Sequence, residues 1–192
     1  MILQTVYLTE LFLGLQSLEQ QKHKQTKNTQ THMLPLSLTL NDADTSSPIL
    51  VEGKQPLIID KAEVVQSKSG KGHFLAVTFK TQEDSMSIKG TKIGAGFPLI
   101  QRYMLPIPGT EFGDGEQAEN YKANLCRFML ACANRKDTPE AKAELPEFNE
   151  SYIANLSSVV VMGNIKTSKP KDDDDGYGPR SEVKSVSGID PQ

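Results

Sequence analysis

The sequence predicts a mainly β domain with one amphipathic helix, and three features point there. Hydrophobic residues make up 37 % of the 192-residue chain, which with 14 glycines is close to the apolar share of a packed globular domain. Short segments rich in β-branched and aromatic residues alternate with turn-forming ones. A single long stretch instead repeats its apolar positions every three or four residues.

The opening stretch to Leu18 has apolar positions at helical spacing, Leu3, Val6, Leu11, Leu15 and Leu18 among them. It lacks a basic n-region, contains Glu10 and has no small-residue cleavage site, so it does not read as a signal peptide. Gln20 to His32 is polar and can bury nothing. Residues 1–32 are therefore expected to be an N-terminal extension, disordered or forming a short amphipathic helix, with Met33 as the natural start. Residues 33–192 are expected to form the domain, with an acidic loop at 172–175.

The domain opens with two strands. Leu57 to Val65 and His73 to Thr81 flank Gln66-Ser-Lys-Ser-Gly-Lys-Gly72, a turn sequence, which predicts a β-hairpin with a basic tip. In the second strand Leu75, Val77 and Phe79 share one face and Phe74, Ala76, Thr78 and Lys80 the other. The first set reads as core. Further strands are expected at Ser85 to Lys89, Leu99 to Leu105, Ser157 to Thr167 and Arg180 to Val186. For Leu99 to Leu105 the buried face is open, because Ile100/Met104 and Leu99/Tyr103 compete for the core. The helix is expected over Glu116 to Asn134, where Ala118, Tyr121, Leu125, Phe128 and Cys132 form one stripe and Asp114 is the expected N-cap. Residues 135–150, broken by Pro139 and Pro146, read as a connector with a short helical turn. A helix between the early strands and the last two is the order of an OB-fold-like five-stranded Greek-key barrel, although other small barrels share it.

The formal net charge of −3 conceals a division along the chain. Residues 51–110 carry eight basic and five acidic side chains, and 151–171 carry three lysines and no acid. Residues 111–150 and 172–192 each have a balance of −4. Positive charge thus accompanies the strands. Cys126 and Cys132 fit neither a disulfide framework nor a zinc spacing, and a reducing cytoplasm is the expected home. No stretch is long and apolar enough to span a membrane, so a soluble protein is expected.

Catalytic chemistry finds few materials. His73 is the sole histidine within the expected domain, no nucleophile–base pair is evident, and the expectation is a protein without enzymatic activity or cofactor. The stretch Lys89-Gly-Thr-Lys-Ile-Gly-Ala-Gly96 matches no phosphate-binding fingerprint and reads as a loop. The run Asp172 to Asp175 before Gly176 fits a calcium loop poorly, since Lys171 would take the first ligand position. It reads as a solvated loop, or as an acidic segment that docks on a protein partner. The remaining constellation is a basic, aromatic β-surface, which suits single-stranded nucleic acid: lysines track phosphates and aromatics stack bases. Its candidates are Lys61, Lys68, Lys71, Phe74, Lys80, Arg102, Tyr103, Lys166, Lys169, Tyr177 and Arg180. Each also has a plainer reading, the lysines as solvated edge residues and Phe74 or Tyr103 as core.

Three segments carry a likeness to known proteins: Leu38 to Asp44, Leu50 to Glu63 with the following Ser67-Lys-Ser-Gly-Lys71, and Pro179 to Val186. Together they resemble a family of tailed-phage OB-fold proteins of single-stranded DNA-binding type, some of them known only as domains of unknown function. Gly53 to Glu63 follows that family's "G-x-Y-x-hydrophobic-x-I-x-x-A-E" opening, except that Gln55-Pro56 stands where an aromatic is common. Arg180-Ser-Glu-Val-Lys184 departs from its closing "R-N-x-V-K". The resemblance implies a non-enzymatic protein that coats and protects single-stranded DNA in phage replication or recombination, in the host cytoplasm. Homo-oligomerisation is expected, as is contact with replication or recombination proteins through Asp172, Asp173, Asp174 and Asp175. The alternatives are a protein-interaction module, as a replisome adaptor or host-directed inhibitor, and a virion structural component.

Overall fold

A computed structural model describes residues 47–168 and 178–191. The expected extension at 1–32, Lys169, the acidic run Asp172 to Asp175 and Tyr177 lie outside the described residues. Among the described residues, seven strands and three helices follow in the order β1 (Gly53–Gln66), β2 (His73–Thr81), β3 (Ser85–Met86), β4 (Lys92–Ile93), β5 (Pro98–Met104), α1 (Gln117–Cys132), α2 (Pro139–Ala143), α3 (Glu150–Ala154), β6 (Val160–Ser168) and β7 (Arg180–Ser187).

Five strands make one antiparallel sheet in the order β5-β2-β1-β6-β7. The 14-residue β1 serves two neighbours: Gly53 to Ile58 pairs with β6, and Leu57 to Gln66 pairs with β2. The hand-over falls at a bulge, where Ile59 opposes Phe79 and Lys61 opposes Thr78, leaving Asp60 as the extra residue. A bulge bends its strand and increases local twist. The edges β5 and β7 would lie about 19 Å apart in a flat sheet at the usual strand spacing, yet their Cα atoms approach within 8 Å. The sheet therefore curls until its edges face each other, with no ladder joining them among the described residues.

The concave side is the core. Leu57 and Ile59 of β1, Leu75, Val77 and Phe79 of β2, Leu99 and Tyr103 of β5, Val161 and Ile165 of β6 and Val183 of β7 are all buried there. Leu125 and Phe128 of α1 close one end, the Phe128 ring lying 4.5 Å from that of Tyr103. Gly163 of β6 is required by this packing, because a Cβ there would overlap the Leu57 side chain.

The helix departs from expectation at its start. Glu116, itself in helical conformation, takes the N-cap position without a side-chain hydrogen bond, whereas the Asp114 carboxylate accepts from the Gly109 amide at 3.3 Å. At the far end Asn134 adopts a left-handed conformation (φ 54°) beyond the helix. Its side-chain amide donates to the Asp190 carbonyl at 3.0 Å and accepts from the Asp190 amide at 3.1 Å, tying the end of the described chain to α1. The Gly-rich stretch, expected to be a loop, contains the short arm β4 paired with β3. The connector holds one helical turn as expected, α2, capped by Thr138, and a second, α3, capped by Asn149, begins at its last residue and runs beyond it to Ala154.

Candidate nucleic-acid interface

Side-chain alternation assigns the convex face of the β1–β2–β5 sector. Register places Phe74 beside Met104, Ala76 beside Arg102, Thr78 beside Ile100 and Lys80 beside Pro98, with Lys61 opposite Thr78 on the other flank. Phe74 is half-buried, Ile100 is 59 % exposed, and the Arg102 guanidinium lies over the Phe74 ring at 5.1 Å from its centroid. A guanidinium over a ring face is attracted by the ring quadrupole and itself presents a flat cationic surface outward.

The basic hairpin tip adjoins this face. Gly70 takes a positive φ of 75° in the turn, and the Glu111 carboxylate accepts from Ser69 at 2.5 Å and Ser67 at 3.2 Å. These bonds, with the Glu111 amide donating to the Lys71 carbonyl at 2.8 Å, fasten the tip to the segment before α1. Lys68 and Lys71 are exposed there, and neither forms an ion pair among the described residues. Other candidate cations are engaged. Lys61 pairs with Glu63 at 2.6 Å, Lys80 with Asp60 at 2.8 Å, Lys166 with Glu52 at 2.9 Å and Arg180 with Glu182 at 2.9 Å. The Lys166 ammonium, followed by the Thr167 amide, holds the Glu52 carboxyl below its ordinary range.

The chain matches no protein-family model and no curated protein. What it can bind is therefore read from the surface itself.

Tyr103 corrects the sequence reading. The expected stacking residue is only 7 % exposed, packs on Phe128 and donates its hydroxyl to Gln101 Oε1 at 2.8 Å. Burial pushes its phenol pKa up. Its β2 neighbour is Leu75, a core residue, so the register turns Tyr103 inward and Arg102 outward. The structure thus gathers Lys61, Lys68, Lys71, Phe74, Lys80 and Arg102 on one sector and leaves Lys166 on β6, with β1 between it and β2. Arg180 lines the same cleft as Arg102, from the other side of the seam between the sheet edges.

That seam holds two adjoining clefts. The first, about 560 Å³, is lined by Pro98, Ile100 and Arg102 of β5 and by Arg180, Glu182 and Val183 of β7, among others. The second, about 350 Å³, continues from Arg102 past Tyr121, Asn124 and Arg127 of α1 to Lys184 of β7. Tyr121, Arg127 and Lys184 were absent from the sequence-based candidates. Alternation along Arg180-Ser-Glu-Val-Lys184 carries the signal for Lys184, whereas Tyr121 reads in sequence as one more apolar position of the helix stripe.

Proposed function

We propose that the protein is an OB-fold barrel that binds and coats single-stranded DNA in phage replication or recombination. The observation that carries this reading is the outward Phe74–Arg102 stack, set beside exposed Ile100 and the hairpin lysines Lys68 and Lys71, which have no ion-pair partner among the described residues. Bases stack on aromatic or guanidinium planes while lysines neutralise phosphates, and neither contact requires a particular base. The strand order β5-β2-β1-β6-β7, with the longest helix between β5 and β6, supports the barrel assignment.

The test is fluorescence anisotropy of a labelled oligothymidine titrated with the full chain at several salt concentrations, beside a matched duplex. Single-strand binding that weakens with salt supports the reading; absence of binding by folded protein at low salt removes it. A second reading, a protein-interaction module, draws on exposed Val51, Met86 and Ile88. The Val51 amide donates to the Met86 carbonyl and the Ile88 amide to the Ile49 carbonyl, so one small strand pair presents them together. Loss of a protein contact on Met86→Glu, with no oligonucleotide binding, selects it.

A further inference from the structure

We propose that the bound single strand runs on from the β2–β5 face into the cleft between β5, β7 and α1, where Tyr121 stacks a base and Arg102, Arg127 and Lys184 hold phosphates. This rests on the DNA-binding reading and extends it to a helix.

Composition of the cleft is the first ground. Arg102, Arg127 and Lys184 line it and, among the described residues, no carboxylate does, in a protein whose net charge is −3 and in a cleft whose helical wall belongs to an acidic segment. The nearest restraint on these cations is Asp137, 3.9 Å from Arg127, while the Arg127 guanidinium also donates to Asn124 at 3.1 Å. Chemistry of the walls is the second ground. Tyr121 is half-buried, its ring held edge-on by Phe112 at 5.8 Å and its hydroxyl donating to Gln117 at 2.6 Å, so it is a fixed aromatic wall. Asn124 and Gln101 add amides able to meet a base edge.

Continuity is the third ground. Arg102 lies over Phe74 on the convex face and lines both clefts, so a chain leaving that face meets the second cleft at Arg102, while Glu182 stands on the wall of the first. The occupant is an anion lying in the groove, not a peptide strand inserted between the edges. Inserting a strand requires the edges about 9.6 Å apart, whereas β5 and β7 approach within 8 Å. An extended acidic peptide lying along the cleft is the competing occupant.

The experiment measures oligothymidine affinity of the full chain against oligomer length and salt, for wild type, Tyr121→Leu, Tyr121→Phe and the exposed pair Arg127→Gln/Lys184→Gln. Loss of one stacked base weakens binding by about 5-fold or more, and the loss should appear only for oligomers long enough to leave the β2–β5 face. Tyr121→Phe restores what Tyr121→Leu removes. The double variant lowers the salt slope by about 0.7 to 1.4, at roughly 0.7 per phosphate on a single strand, the lower figure applying if Asp137 keeps Arg127 engaged. It alone carries the test should Tyr121→Leu not fold.

Wild-type binding that all folded variants match at every length overturns the cleft proposal and leaves the DNA-binding reading standing. No wild-type binding removes both. A labelled oligo-glutamate peptide bound by wild type and lost in the double variant, with oligothymidine indifferent to it, assigns the cleft to peptide instead.

Discussion

Two pairs of lysines on the same sector separate phosphate contact from general charge. Lys68→Gln/Lys71→Gln and Lys61→Gln/Lys80→Gln each remove two positive charges. In the first pair the ammonium groups stand at the hairpin tip without ion-pair partners among the described residues. In the second they are neutralised by Glu63 at 2.6 Å and Asp60 at 2.8 Å. Only an ammonium that exchanges counterions for a phosphate contributes to the salt slope, about 0.7 each on a single strand. The tip variant should therefore lower the slope by about 1.4, which shrinks the wild type's advantage about 7-fold between 50 and 200 mM salt. For the paired variant the slope should change by less than half of that. Anisotropy titrations at four salt concentrations read both. Equal slope changes would refute the contact argument and show that binding follows net charge alone. As a sign check, Asp60→Asn frees Lys80 and should strengthen binding at low salt.

Four further outcomes follow from the packing and the titratable groups. Tyr103→Ala should cost about 3–5 kcal/mol by denaturant titration, the range for emptying a core aromatic site, whereas an exposed stacking residue would cost far less stability. Gly163→Ala should destabilise by about 1–3 kcal/mol, because the new methyl must displace Leu57; an unchanged denaturation midpoint would contradict the β1–β6 register. The Asp84 carboxyl is held below its ordinary value of 3.8 by the Lys92 ammonium and then the Ala95 amide. Its contribution to the β3–β4 arm is present above 3.8 and lost as pH falls through the lowered value, which the Ala95 amide shift should trace by NMR. Burial pushes the Cys132 thiol up to about 12, so it should react with a thiol reagent at pH 8 far more slowly in the folded protein than after unfolding.

Local pattern made part of this legible in sequence. β2 runs from His73 to Thr81 as its period-2 alternation implies, and α1 lies within the segment that repeats at helical spacing. β5 was ambiguous for a physical reason: Ile100/Met104 and Leu99/Tyr103 are equally apolar, so one strand alone cannot choose its buried face. Register against β2 chooses it, setting Leu99 against Phe79 and Tyr103 against Leu75, and the same step removes Tyr103 from the proposed interface. Ion pairing was equally hidden, since Asp60, the extra residue of the bulge, meets Lys80 across two strands whose register the sequence does not give. The cleft wall of Tyr121, Arg127 and Lys184 joins residues more than 50 positions apart, brought together only when the sheet has curled.

That curl bears on how the proposed binding would favour a single strand over a duplex in an acidic protein. Both strand types carry phosphates, and long-range repulsion from a net charge of −3 opposes both alike. Discrimination has to come from short range. On the convex face the cationic groups flank Phe74, and in the seam they flank Tyr121, so each set of phosphate contacts is coupled to an aromatic surface. A single strand can turn its bases onto those rings while its phosphates reach the cations; a duplex holds its bases stacked inside and can use only the cations. Losing the rings should therefore reduce affinity for single strands and leave the weak duplex affinity unchanged, whereas losing Lys68 and Lys71 should reduce both. Measured together on oligothymidine and on a matched duplex, Phe74→Leu with Tyr121→Leu and the hairpin pair should separate along these two axes; equal losses for both nucleic acids in the aromatic variant would sink the coupling.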